Sequence, residues 1–155
     1  MAEPYEIVVC STLAAAPSDV WRHATRAAGI NRELMPLARM TFPAAVAELT
    51  PETVRMGERV CRSWVLLFGV LPVDYDDVTL VELEPGRRFL ERSPMLSQRF
   101  WEHERTVAAD GDGTRVCDRV RFVPRLALFA PLYRRILGAA FALRHRNLRR
   151  IFGTN

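Results

Sequence analysis

The chain has 155 residues, 49% of them apolar, and carries 22 basic against 18 acidic side chains for a net charge of +4. That length suits one domain, residues 1–155, with a real core, and the apolar share excludes a disordered chain. Every basic residue apart from histidine is arginine, spread along the chain with one concentration near the C-terminus, so the charge supports weak attraction to anions and is no nucleic-acid signature.

The longest apolar run, residues 65–73, is broken by Gly69 and Pro72 and is too short to span a bilayer. Met1-Ala2-Glu3-Pro4 has neither a basic segment nor an apolar one behind it, so no secretory leader is expected. Cys10, Cys61 and Cys117 are odd in number and far apart, which predicts no disulfide framework and a cytoplasmic protein with free thiols.

In chain order, residues 5–13 alternate loosely around Ile7, Val8 and Val9 and predict a first strand. Pro17-Ser18-Asp19 opens a helix that Ser18 or Asp19 can cap, with Val20, Trp21, Ala24, Ala27 and Ala28 as its apolar stripe and Gly29 as its end. A second short helix is predicted near residues 32–37, and strands over 46–49 and 55–68. The acidic run Asp74-Tyr75-Asp76-Asp77 lacks calcium-loop spacing and reads as a solvated turn. Residues 78–83 and 88–93 form a hairpin across Glu84-Pro85-Gly86-Arg87, where Pro and Gly suit a type II turn. Helices before and after a run of antiparallel strands make the fold class α+β.

Residues 100–122 predict two strands joined by a tight turn within Ala109-Asp110-Gly111-Asp112-Gly113-Thr114. Whether the loop has two or four residues, the register is the same. Glu102 faces Arg121 and Glu104 faces Arg119 on one side. On the other, Trp101 faces Phe122, His103 faces Val120, Arg105 faces Asp118 and Val107 faces Val116. One face is a charge ladder, and the other is an apolar surface that still holds ionisable groups, the signature of a lined cavity.

Residues 130–152 predict one long helix. A wheel places Phe129, Tyr133, Ile136, Leu137, Ala140, Phe141, Leu148 and Ile151 on one face, and Arg134, Arg135, Arg146, Arg149 and Arg150 opposite. Arg144 falls in the apolar face with Asn147 beside it. It either pairs structurally or escapes to solvent, or it reaches the cavity and meets Asp118, Glu91 or a ligand anion. The facing of the strand that holds Glu91 is open from sequence.

The order of elements, the segment Ala16-Pro17-Ser18-Asp19-Val20-Trp21 after the first strand, Trp101-Glu102-His103, Gly113-Thr114-Arg115-Val116-Cys117-Asp118-Arg119-Val120 and the late Phe141-Ala142-Leu143-Arg144-His145-Arg146-Asn147-Leu148 together resemble the START-like, or SRPBCC, superfamily. Within it the chain is most similar to bacterial ligand-binding and polyketide cyclase/dehydrase-like members. The resemblance implies a helix-grip fold: a curved sheet of six or seven strands wraps the last helix, with two short helices closing one end. It also implies a cavity for a lipid, polyketide or aromatic molecule, and it carries over no universal catalytic residue.

On their own chemistry, His103 with Asp118 or Arg105 is the candidate acid–base group, against a reading in which Arg105–Asp118 is a structural ion pair and His103 a satisfied core histidine. His23 and His145 read as surface residues. No phosphate loop, nucleophile elbow or dinucleotide fingerprint occurs, and no histidine spacing suits a metal, so no cofactor and no metal are expected.

Three functions remain open. The first is binding of a hydrophobic small molecule by Trp101, His103, Val120, Phe122, Leu137, Phe141 and Arg144. The second is a cyclase/dehydratase-type enzyme. The third is an interaction module working through the basic last helix. No nucleic-acid partner and no stable membrane insertion are expected, and the chain is read as a monomer or homodimer.

Overall fold

Seven strands form one antiparallel sheet in the order β1-β7-β6-β5-β4-β3-β2 in the computed structural model, which describes residues 2–154. The elements are β1 (Tyr5–Leu13), α1 (Pro17–Ala24), α2 (Ala27–Leu34), β2 (Ala38–Met40), β3 (Arg59–Leu67), β4 (Leu71–Glu84), β5 (Arg88–Arg92), β6 (Gln98–Asp110), β7 (Gly113–Pro124) and α3 (Ala130–Phe152). The curled sheet grips α3, and α1 and α2 follow the first strand. This is the α+β class read from the order of elements and the helix-grip fold that the resemblance implied.

The β6–β7 register is the expected one, from Trp101↔Phe122 and Glu102↔Arg121 through Arg105↔Asp118 to Ala109↔Thr114, closed by a two-residue loop after Asp110↔Gly113. Gly86 sits at φ 81, the positive value that the third position of a type II turn demands. On the outer face Arg121 lies 3.3 Å from Glu102 and Arg119 3.4 Å from Glu104. Glu102 is nevertheless only 2% exposed, because Arg92 covers it as well.

Several local expectations change. The cap of α1 is Ala16 with no side-chain hydrogen bond, so neither Ser18 nor Asp19 serves there. Gly29 does not end α1. It lies inside α2, where an added Cβ would fall 1.9 Å from the carbonyl oxygen of His23, so the close approach of the two helices requires glycine. Residues 46–49 are not a strand: a short 3-10 turn, Ala44–Val46, stands there with an isolated bridge from Glu48 to Arg26. The acidic run 74–77 belongs to β4, and Asp76 is buried. Phe129 and Ile136 are 43% and 48% exposed, because the burial of α3 concentrates in its C-terminal half.

Cys10 and Cys117 form a disulfide, against the expectation of free thiols. The two lie opposite each other where β1 pairs with β7. That pairing joins residues 107 apart, a neighbourhood that cysteine spacing does not reveal. Among the described residues Cys61 is the free cysteine, buried in β3, so the free-thiol argument for a cytoplasmic setting rests on it alone. No helix among the described residues is long and apolar enough to cross a membrane.

Candidate functional site

Strand alternation sends Trp101, His103, Arg105 and Val107 of β6, and Val116, Asp118, Val120 and Phe122 of β7, to the face that meets α3. The helix answers with Phe141, Arg144, His145 and Leu148, spaced as neighbours on one face. The result is layered. One apolar cluster joins Leu13, Val20, Val107, Val116 and Leu148. Another joins Met95, Trp101, Val120, Phe122 and Phe141. Between them lies a slab of buried charge.

Arg105, fully buried, is the centre of that slab. Its Nε and Nη2 donate to Oδ1 and Oδ2 of Asp118 at 2.8 and 2.7 Å, and its Nη1 and Nη2 donate to Oε1 and Oε2 of Glu33 at 2.7 and 2.8 Å. One guanidinium thus holds two carboxylates in bidentate pairs. Asp118 also accepts from His103 Nε2 and from His145 Nε2, each at 2.8 Å. With a proton on Nε2, His145 presents a free Nδ1, and the Ser11 hydroxyl lies 2.8 Å from it. Arg144 Nε donates to Glu33 Oε2 at 2.9 Å, and Asn147 Nδ2 to the Glu33 carbonyl at 2.8 Å. His23 Nε2 stands 3.4 Å from Glu33 Oε1.

Burial alone would raise the pKa values of Glu33 and Asp118. The guanidinium of Arg105 outweighs it, joined at Glu33 by Arg144, and holds both carboxyls well below the usual range. Burial likewise pulls His103 down, but its contacts with Asp118 and Glu91 win and its pKa is raised. In the slab the carboxylates of Glu33, Glu91 and Asp118 meet the guanidiniums of Arg105 and Arg144 and the imidazole of His103. Such a network is costly to break, and its members are committed to one another except His23 Nε2, which is buried without a hydrogen bond.

The sheet's inner face has a second polar region with the opposite character. Glu91, on β5, faces inward opposite His103 and accepts from Ser93 Oγ at 2.6 Å. Across the next strand lies Asp76. Burial, joined by the neighbouring Glu91 carboxylate, pushes its pKa well above the ordinary value. Its Oδ1 nonetheless has no hydrogen-bond partner, and neither do Ser63 Oγ, Gln98 Oε1 and Trp101 Nε1. Ser63 and Asp76 are cross-strand partners, Asp76 bridges to Met95, and Met95 packs with Trp101. The four orphaned atoms therefore belong to one stretch of the face, from β3 to β6.

The sequence-predicted residues converge. Trp101, Val120, Phe122 and Phe141 share a cluster with Leu137 against it. The His103 ring sits 5.2 Å from that of Phe141, and His103 touches Asp118. Arg144 is buried and paired as one of its readings required, but with Glu33 in place of Asp118 or Glu91. His23 and His145 are not surface residues; both enter the charged slab. Neither of two surface clefts, of about 510 and 350 Å³, includes any of the expected lining residues, which pack on one another. Among the described residues no group of His, Cys, Asp and Glu is arranged to hold a metal ion.

Sequence reading missed Glu33, Asp76 and Ser63. The available signal for Glu33 was its place one turn beyond Gly29, on the helix face that packs inward. For Asp76 and Ser63 the signal was strict alternation with buried neighbours, as in Asp76, Val78 and Leu80.

Fold and site together define a helix-grip protein with an ionic layer clamping sheet to helix. Residues 11–152 match the family described as Domain of unknown function (DUF8410), and the chain belongs to that family. No curated protein matches the chain. Protein CV1439 from Chromobacterium violaceum is similar in fold, at 15% identity over 97% of this chain and 98% of that one, with a TM-score of 0.70. CalU16 from Micromonospora echinospora is similar at 17% identity over 99% and 78%, TM-score 0.61. DynU16, a protein of the dynemicin biosynthetic locus, is similar at 15% identity over 94% of this chain, TM-score 0.60, and the chain spans 46% of its length. At these identities the likeness is one of fold.

Proposed function

We propose that this chain is a START-like, SRPBCC-type binding protein that takes a hydrophobic small molecule carrying one or two oxygens between the sheet and α3. The observation that supports this reading is the set of unpartnered buried atoms Ser63 Oγ, Asp76 Oδ1, Gln98 Oε1 and Trp101 Nε1 beside the apolar surface of Val120, Phe122 and Phe141. An unpaired buried polar group costs about 1–3 kcal/mol, so a ligand that brings a donor and an acceptor is stabilised there. The apolar body would lie against Phe122, Leu137 and Phe141. Room for it would come from the N-terminal half of α3, where Leu132 and Ile136 remain about half exposed and hold the helix loosely to the sheet. One fold neighbour is a protein in the dynemicin biosynthetic locus, which is consistent with a small-molecule ligand.

A neutral polyaromatic probe, 1-aminoanthracene, should bind at one saturable site with enhanced fluorescence. Val120→Trp should abolish the binding while circular dichroism reports an intact fold, and native mass spectrometry of the purified protein should reveal a co-purifying small molecule. Absence of both probe binding and a native ligand would end this reading. A catalytic reading falls on Asp76 in preference to His103, because His103 is held by Asp118, which also accepts from Arg105 and His145, while Asp76 Oδ1 has no partner.

A further inference from the structure

We infer that a second site, outside the sheet–helix interior, binds small oxyanions carried on an apolar body. It is the cleft of about 510 Å³ between α2, β2 and the end of α3, lined by Asn31, Arg32, Met35, Arg39, Arg150 and Ile151 among others. Its volume is in the range that small-molecule sites occupy, about 300–1,000 Å³.

Three arginines from three different elements ring this cleft, and no acidic residue lines it. Among the described residues Arg32, Arg39 and Arg150 form no salt bridge. The arginines on the outer face of the sheet near the hairpins are different, because there acidic residues stand beside them. On the outer face of the sheet Arg62 meets Asp77, Arg88 meets Glu104, and Arg121 meets Glu102. The other cleft, of about 350 Å³, sets Glu48 and Glu52 beside Arg22. Three arginine side chains, all solvent-exposed, line one concavity with no acidic residue among them, and an oxyanion bound there can use their fork geometry. Ala28, Met35 and Ile151 supply the apolar part of the lining, which selects an anion with a hydrophobic body over a bare one.

The cleft is built on pinned walls. Asn31 Nδ2 donates to the Met40 carbonyl at 2.9 Å, and the Met40 amide donates to Asn31 Oδ1 at 2.7 Å, tying α2 to β2. Asn147 Nδ2 donates to the carbonyls of Glu33 and Met35 at 2.8 and 3.0 Å, tying α3 to the end of α2. Both asparagines belong to the lining. The arginines are therefore carried on walls fixed relative to one another, so less ordering is needed on binding.

The test uses octanoate and octyl phosphate as probes and octanol as the neutral control, by calorimetry at low salt. Both anions should bind saturably, and octanol at least about tenfold more weakly, the discrimination expected of a charge-assisted hydrogen bond. Arg39→Gln with Arg150→Gln should weaken octanoate by about tenfold or more. Arg146→Gln, exposed on the same helix but outside the cleft, should leave it unchanged. Methyl NMR should place the octanoate-induced shifts on Met35 and Ile151. Equal binding of octanol, full affinity in the double variant, or shifts confined to Val120 and Leu137 would each overturn the assignment. The last of these outcomes would move the anion to the interior site, and the 1-aminoanthracene measurement stands apart from all of them because that probe is uncharged.

Discussion

Trp101 and Arg105 stand on the same strand, four residues apart, and both point toward α3, yet they belong to opposite kinds of environment. Around Arg105 every charge has met its complement: Glu33 comes from α2, Asp118 from β7, and Arg144 and His145 from α3. Around Trp101 the indole N–H is buried without an acceptor, and Ser63, Asp76 and Gln98 have unpartnered atoms on the same stretch of sheet. The comparison separates two things that look alike as buried polar residues. A closed network has no hydrogen-bonding capacity left for a ligand and acts as a clamp. An open set has spare capacity and is where a ligand would gain.

The clamp should be the more costly to break. Arg105→Met leaves two buried carboxylates without their main partner, and denaturant unfolding should register a loss of about 3–5 kcal/mol. A variant as stable as the parent would mean that the slab is dispensable. Phe141→Ala, in the apolar layer beside it, should cost a comparable or slightly smaller amount, about 3–5 kcal/mol for an aromatic truncation, read in the same way.

The clamp also sets a pH dependence. His103 has a raised pKa in the folded chain. The native state therefore keeps that proton after the unfolded state has released its own near 6.5, and stability falls as pH rises from there through the folded value. His103→Gln should flatten that limb of a stability–pH curve measured by urea unfolding; an unchanged slope would locate the titrating group elsewhere. The carboxyls act with the opposite sign. Glu33 and Asp118 have lowered values, so their contribution is present above the ordinary carboxylate range and lost as acid protonates them.

The open set should tolerate change. Burial and the neighbouring Glu91 raise the pKa of Asp76, and Asp76→Asn keeps its shape while removing the titrating proton. Its raised pKa means the parent loses stability as pH climbs from 3.8 to the folded value. The amide avoids that loss, and the variant should come within about 1 kcal/mol of the parent or exceed it near neutrality, while affinity for 1-aminoanthracene changes. A large loss of stability would place Asp76 in the clamp instead. Smallest of all is the outer ladder: Arg121 is partly exposed and Glu102 retains Arg92, so Arg121→Ala should cost about 0.2–1 kcal/mol in thermal or chemical unfolding.

What could be read from the chain alone was whatever depends on neighbours along it. The β6–β7 register follows from a tight turn and a period of two, and it placed Arg105 opposite Asp118 and Trp101 opposite Phe122 without any tertiary knowledge. The wheel of the last helix singled out Arg144 by the same kind of local geometry. Tertiary structure decided which groups arrive from far away. Glu33 reaches Arg105 across 72 residues, and Cys117 reaches Cys10 across 107. The pKa of Asp76 is raised because the fold buries it and brings Glu91 beside it. Periodicity tells which face of an element is buried, but not which other element will be buried against it, and the charge state of a buried group depends on that partner.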